Sequence, residues 1–382
     1  LAAFDAVSAD TPLNALALHH KALALAMVGD FEAAAGTYAA LGAEIDGLGR
    51  GALRAQLQIL SQLERTDAAL ARLDARLEGE SDPEFDRLRA TLAEGGNLPF
   101  DTVREARQGM GPVLFALTTA LEGEISLTHS LLFARVSQAL DPGNVDILLQ
   151  VADLLEQLER HELASDVYEK VPSEHPLSYT AEIGRAEALF AMEKPDAAIE
   201  VLKALSRKRP DLLGVQITLG DALRRLERYA EAAPAYGAAI ALLDRPQPRH
   251  WSLFYFRGIS HERTGAWEKA EADFRTALEL SPEQPLVLNY LGYSLVERRE
   301  NLAEAQKMIE TAVAARPDDG FITDSLGWVL YRLGKHDEAV APMERAVALE
   351  PMDPIINDHR GDVYWVVGRR LEARFQWKRA LS

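Results

Sequence analysis

The chain has no cysteine. That removes disulfides, thiolate metal sites and cysteine nucleophiles, while leaving the redox compartment open. Positive charge is scarce as well: 41 lysine and arginine residues stand against 59 acids, a net charge of −18, so a phosphate backbone is repelled on average. Nucleic acid is therefore not the expected partner. No apolar run reaches the ~18 residues that span a bilayer, and strand-like alternation is missing. Alanine-rich runs such as ALALHHKALALAMVGD point to a nearly all-α chain.

The usual signatures of chemistry are missing too. No GxxxxGK[ST], GxSxG or GxGxxG is present. His161 opens HELAS, which lacks the second histidine of a zinc hydrolase motif. His19 and His20 are adjacent, so they splay to different helix faces and are expected to pack or face solvent. Carboxylate pairs on helices that carry most of the 59 acids read as solvated faces. Catalytic residues, metal and cofactor are all expected to be none, and the chain is read as a non-enzyme.

What is present is a period. Gly258, Gly292, Gly327 and Gly361 are separated by 34, 35 and 34 residues. Around them the same residue types return: Gly265, Ala270, Phe274, Ala277 and Pro282; Ala305, Ile309, Ala312 and Pro317; Gly334, Ala339, Met343, Ala346 and Pro351; Gly368, Ala373, Trp377 and Ala380. This resembles the tetratricopeptide repeat, which implies a right-handed superhelical α-solenoid of helix pairs. Small residues let two helices approach, large ones such as Phe274 and Trp377 are expected to fill the gap between neighbouring repeats, and proline stops each second helix.

Upstream the pattern weakens. Ala232, Tyr236 and Ala239 follow Gly220; Ala186, Ala198 and Leu202 precede Pro210; Ala152, Ala164 and Tyr168 precede Pro176. Pro142, Pro176 and Pro210 keep a 34-residue spacing. Gly29, Ala34 and Tyr38 mark another repeat, Ala69 with Leu73 a fainter one, and 111–140 has helix-pair periodicity without the signature. The least regular packing is expected between Gly79 and Gly111, around EGGNLPFD. Three regions follow: 1–110 degenerate repeats, 111–250 divergent repeats, 251–382 well-matched repeats. Pro234 and Pro342 fall inside second helices, where a first-turn position or a kink is expected.

Binding is the prospect that remains. In tetratricopeptide arrays the first helices line the concave side, and that register selects Tyr255, Phe256, Asn289, Tyr290, Tyr293, Phe321, Asp324, Trp328, Tyr331, Asp358, His359, Asp362 and Trp365 as a candidate protein-binding groove. Fifteen of the 27 aromatic residues, including all five tryptophans, lie in the last 132 residues. The N-terminal two-thirds are expected to grip apolar side chains less well. Trp251, Phe254, Phe274 and Trp377 read as packing residues, whereas Tyr290, Tyr293, Trp328, Tyr331 and Trp365 fit either a partner surface or the filling of a tight superhelix. Asp324, Asp358 and Asp362 would repel a C-terminal carboxylate, so a basic or neutral segment with apolar side chains fits better.

The segments NYLGYSLVERRENLAEAQKMIETA, DSLGWVLYRLGKHDEAV and DHRGDVYWVVGRRLEARFQWKRAL resemble a family of proteobacterial tetratricopeptide proteins carried to the periplasm. That family includes the outer-membrane lipoprotein adaptor of a carboxyl-terminal processing protease. The resemblance is strongest over 285–382 and collinear back to about Gly111. It implies a protein-binding scaffold in the cell envelope, with the protease and its substrates as partners. The motif residues Asn289, Gly292, Tyr293, Asp324, Ser325, Gly327, Trp328, Tyr331, Gly334 and Trp365 are mostly structural in the repeat. A permanent subunit of a membrane or polysaccharide-export complex is the alternative. Leu1 in place of a methionine fits a processed N-terminus, and a periplasmic location is expected, outer-membrane-associated through a segment outside this sequence, with cytoplasm the alternative.

Overall fold

The computed structural model describes residues 1–7, 13–77, 82–120 and 125–381, without the side chains of residues 3, 43 and 117–120. Gly79 and residues 121–124, named in the sequence reading, lie outside the described residues. Every regular element among the described residues is helical, and the stacking is that of a right-handed α-solenoid of tetratricopeptide repeats. The chain packs as two compact units, Leu1–Arg209 and Pro210–Ser382. This boundary follows packing, whereas the change of signature near residue 250 follows composition.

The first unit holds α1 (Ala2–Asp5), α2 (Asn14–Met27), α3 (Phe31–Leu41), α4 (Gly49–Gln62), α5 (Thr66–Leu77), α6 (Pro83–Ala93), α7 (Ala106–Ala120), α8 (Leu127–Leu140), α9 (Val145–Gln157), α10 (His161–Tyr168), α11 (Ser178–Ala191) and α12 (Pro195–Lys208). His19 and His20 are both buried in α2, and His19 Nδ1 lies 2.8 Å from the Tyr38 hydroxyl. Burial pushes His19 down to about 3 and His20 to about 4, so both are neutral packing residues.

The irregular stretch after α6 is tied down by α4. Buried Gln58 donates from Nε2 to Asp101 Oδ1 at 2.7 Å, while its Oε1 accepts from the Thr102 hydroxyl at 2.7 Å. Ser61 Oγ accepts from the Leu98 backbone N–H at 2.8 Å. With its backbone groups satisfied from the side, this segment buries Leu98 and Val103 without being helical. Arg54 joins α4 to two other helices, donating to Glu84 at 2.6 Å and to Asp146 at 3.0 Å.

The second unit is a run of helix pairs: α13 (Leu213–Arg225) with α14 (Tyr229–Ala241), α15 (Trp251–Arg263) with α16 (Trp267–Leu280), α17 (Pro285–Arg298) with α18 (Leu302–Ala315), α19 (Gly320–Arg332) with α20 (His336–Leu349), and α21 (Pro354–Val366) with α22 (Arg370–Ala380). Starts are marked chemically. Asp319 accepts from the Phe321 and Ile322 backbone N–H groups, Asp353 from that of Ile356, and Pro285 and Pro354 occupy first helical positions where no N–H is needed. Pro282, Pro317 and Pro351 each follow the second helix by two residues.

The glycine period has a steric cause. A Cβ on Gly258 would sit 2.7 Å from the Phe274 ring, and one on Gly361 would sit 2.4 Å from the Trp377 indole. Ile309 and Met343 meet Gly292 and Gly327 in the same way. The large residue thus presses on the glycine of its own helix pair, which corrects the expectation that it mainly fills the space between repeats. Phe274 also reaches the next repeat, its ring centroid 5.3 Å from that of Tyr290.

The turn inside each pair explains why the upstream repeats look divergent. Gly29, Gly265, Gly334 and Gly368 there have φ between 77° and 86°, and Glu64, Glu159, Glu193 and Glu227 hold the same left-handed place at 56° to 58°. The backbone is shared even where the glycine is not. Pro234 and Pro342 sit five and six residues into α14 and α20, beyond the first turn, on faces that are exposed and half-buried. The carbonyls they leave without a helical donor lie near water.

Candidate protein-binding cleft

Six of the thirteen groove residues come together. Asn289, Tyr290 and Tyr293 from α17, Phe321 and Asp324 from α19 and His359 from α21 line a cleft of about 450 Å³. Spacings of three and four residues put them on common helix faces. Glu262, Arg263, Gly265, Trp267, Ser294, Glu297, Arg298, Ser325 and Ile355 complete the wall. Sequence reasoning chose none of these nine for the groove, and named Gly265 and Ser325 only as repeat residues. Several belong to helix ends or to the first residue of a second helix, which the concave-face register does not sample.

Asp324, only 5% exposed, anchors the floor. Its Oδ2 accepts a hydrogen bond from His359 Nδ1 at 2.8 Å. Burial by itself would lower the His359 pKa, but the Asp324 hydrogen bond and the charges of Asp324, Asp358 and Asp362 carry it above the ordinary histidine value. The Trp328 indole stacks on the His359 ring, centroids 4.1 Å apart at 15°, and donates from Nε1 to Glu297 Oε1 at 2.6 Å. Tyr331 stacks on Trp328 at 5.0 Å. These two aromatics therefore brace the site from outside its lining. Burial, then Glu297 and Asp324, push the Tyr293 hydroxyl up to about 12, and the Tyr290 hydroxyl donates to Glu262 at 3.3 Å.

Two acceptors stand out. Asp324 Oδ1 and Asn289 Oδ1 are buried with no hydrogen-bond partner among the described residues. A buried acceptor left unpaired costs ~1–3 kcal/mol. The cleft thus joins aromatic walls, against which apolar stems can lie, to two buried oxygens without donors.

The other selected residues lie elsewhere. Tyr255 is buried and Phe256 half-buried in the core around Phe274, with the Arg224 guanidinium 4.2 Å above the Phe256 ring. Asp362 accepts from Trp377 Nε1 at 3.2 Å, Asp358 is exposed, and Trp365 is exposed beside Trp377 and under Arg370. The first unit holds a cavity of about 630 Å³ whose walls include Leu16, Leu23, Phe115 and Ile147. Sequence reasoning placed less apolar binding capacity there because it weighed aromatics, and this cavity is mainly aliphatic. Among the described residues no cluster of three or more histidines and acids is arranged to hold a metal, and no helix is long and apolar enough to cross a membrane.

Comparison with known proteins adds to this geometry. The tetratricopeptide repeat family model matches residues 217–285 and 291–354. A TPR repeat-containing protein of Pseudomonas aeruginosa is 29% identical over 161 residues, which is 42% of this chain and 26% of that protein, so the match spans about a quarter of the relative. Among solved structures, a tetratricopeptide repeat protein from Parabacteroides merdae aligns with a TM-score of 0.50 at 16% identity, covering 62% of this chain and 91% of that one. The Cut9–Hcn1 hetero-tetramer of the APC/C aligns over 96% of this chain and 80% of that one, with a TM-score of 0.47 and 15% identity. Helix pairs closed by a large residue on a glycine, left-handed turns at the repeat interval and the family match agree: the chain carries tetratricopeptide repeats, matched over residues 217–285 and 291–354.

Proposed function

We propose that this chain is a non-enzymatic adaptor of the bacterial cell envelope, holding a partner polypeptide in the cleft of its C-terminal unit and bringing it to a periplasmic carboxyl-terminal processing protease. The observation that carries the binding half is the cleft itself, where Tyr290, Tyr293, Phe321 and Trp267 wall a space floored by Asp324. Aromatic anchors supply much of the energy of protein interfaces. Support for the adaptor half is the resemblance of residues 285–382 to the periplasmic family. Acids at Glu262, Glu297 and Asp324 disfavour a C-terminal carboxylate as the held group.

The test is capture of periplasmic proteins by the purified chain, compared with a Tyr293→Ala/Phe321→Ala variant. The variant is expected to keep its helical circular dichroism and lose the captured proteins, which the protease then degrades no faster with the variant than alone. A folded variant that captures the same set would end the reading.

A second reading, a permanent subunit of a membrane or polysaccharide-export assembly, draws support from α22. At the solvent-facing places where α16, α18 and α20 carry Glu268 and Ala272, Ala303 and Lys307, and Asp337 and Ala341, α22 carries Leu371 and Phe375, 72% and 68% exposed. Arg374 and Lys378 flank them, so the complementary surface is apolar and acidic. Copurification in fixed ratio, lost on Leu371→Glu/Phe375→Glu, would favour this reading.

A further inference from the structure

Asn289 and Asp324 hold the same place in successive repeats, 35 residues apart like Gly292 and Gly327. Both line one cleft, and each has a buried side-chain oxygen without a donor. Asp324 spends its other oxygen on His359, which itself leans on Trp328, so the carboxylate is held in place from one side while its second oxygen lies buried without a donor. Oxygens of this kind call for N–H donors, and a charged donor gains most from a buried carboxylate.

The surrounding charge agrees. Glu262 adds negative potential to the wall, and Glu297 adds less because Arg332 pairs with it at 2.9 Å. The two arginines there are engaged: Arg298 lies 4.7 Å over the Trp267 ring and pairs with Glu300 at 3.3 Å, and Arg263 lies 5.4 Å over the Tyr229 ring. Tyr293, Phe321 and Ile355 offer apolar surface on which the methylene stem of a long cationic side chain can lie.

We infer that the cleft is a subsite for a cationic side chain of the partner polypeptide, lysine or arginine, whose N–H groups reach Asp324 Oδ1 and Asn289 Oδ1 while its stem lies along Tyr293 and Phe321. The inference rests on the polypeptide-binding reading above and narrows it to one chemical class.

The test uses the full chain and four blocked peptides of the form Leu-Xaa-Phe-Leu with Xaa as lysine, arginine, norleucine or glutamate, with affinities measured by calorimetry. Lysine and arginine peptides are expected to bind about 10-fold or more tightly than norleucine, with glutamate weakest. The lysine and arginine arms say which donor geometry fits. Asp324→Asn should weaken the lysine and arginine peptides more than the norleucine peptide and so remove most of that preference, and Asn289→Leu, which keeps the buried acid, should weaken the lysine peptide less. Retained helical circular dichroism shows that each variant is folded. Equal binding of lysine and norleucine peptides, or an Asp324→Asn variant that weakens both alike, overturns the cationic subsite and leaves the cleft a peptide site. Failure of all four peptides to bind overturns the subsite and the cleft together.

Discussion

Gly258→Ala tests the packing rule on which every repeat in the second unit depends. The added methyl would lie 2.7, 2.9 and 3.2 Å from three carbons of the Phe274 ring, where relaxed carbon contacts lie at ~3.5–4.0 Å. Phe274 is fully buried and hemmed by Tyr255 and Tyr290, so the ring has no free space to swing into. Overpacking of this kind costs ~1–3 kcal/mol, and a near-1 Å encroachment argues for the upper end. Alanine recovers ~1 kcal/mol of helix propensity over glycine, so the net expectation is a loss of ~2 kcal/mol.

All five tryptophans lie in residues 251–382, so urea unfolding followed by tryptophan fluorescence reports on the C-terminal unit. Gly237→Ala is the control: its methyl would have Arg257 Nη1 at 3.9 Å as nearest neighbour, and the same propensity gain should stabilise by up to ~1 kcal/mol. Adding Phe274→Leu to Gly258→Ala should relieve the clash, so the pair costs less than the sum of the two single changes. A Gly258→Ala protein as stable as the parent, or strict additivity in the double variant, would refute the close-approach argument.

Two further predictions concern the turn and the buried histidines. Glu227 occupies the left-handed turn at φ 56°; such a residue bears ~1–2 kcal/mol of strain against ~0.5–1 kcal/mol of added chain entropy for glycine, so Glu227→Gly should stabilise the unit by ~0.5–1 kcal/mol in the same assay. His19 and His20 are depressed in the folded state to about 3 and about 4 from 6.5, so the unfolded chain binds their protons first as pH falls. Stability of the first unit is full above about 6.5 and drains away between there and about 3, and His20→Leu, which also removes a buried nitrogen without a partner, should flatten that slope in acid titrations followed by amide exchange.

Much of the fold was legible because the repeat works through single residues at fixed intervals. Gly258 and Phe274, or Gly361 and Trp377, announce a helix pair in one dimension, since a side chain on the glycine would strike its partner. The middle repeats were fainter because Glu159, Glu193 and Glu227 take a turn conformation that glycine takes elsewhere, and no side chain advertises a φ angle. The segment 94–105 was illegible for another reason: its order comes from Gln58 and Ser61, more than 30 residues earlier.

The candidate site divides in the same way. Asn289, Tyr290, Tyr293, Phe321, Asp324 and His359 share helix faces at repeat spacing, which periodicity reveals. The roles of Trp328 as a brace for His359 and of Glu297 as acceptor for its indole depend on which side chains turn toward each other across helices. Sequence alone determined the all-α class, the repeat and the acidic aromatic character of the C-terminal region, because glycine sterics, proline stops and net charge act locally or additively. Tertiary packing alone decided which aromatics seal a core and which line a cleft, and left Asn289 and Asp324 each with an oxygen unpaired, because burial and hydrogen-bond satisfaction depend on neighbours that the chain brings from other repeats.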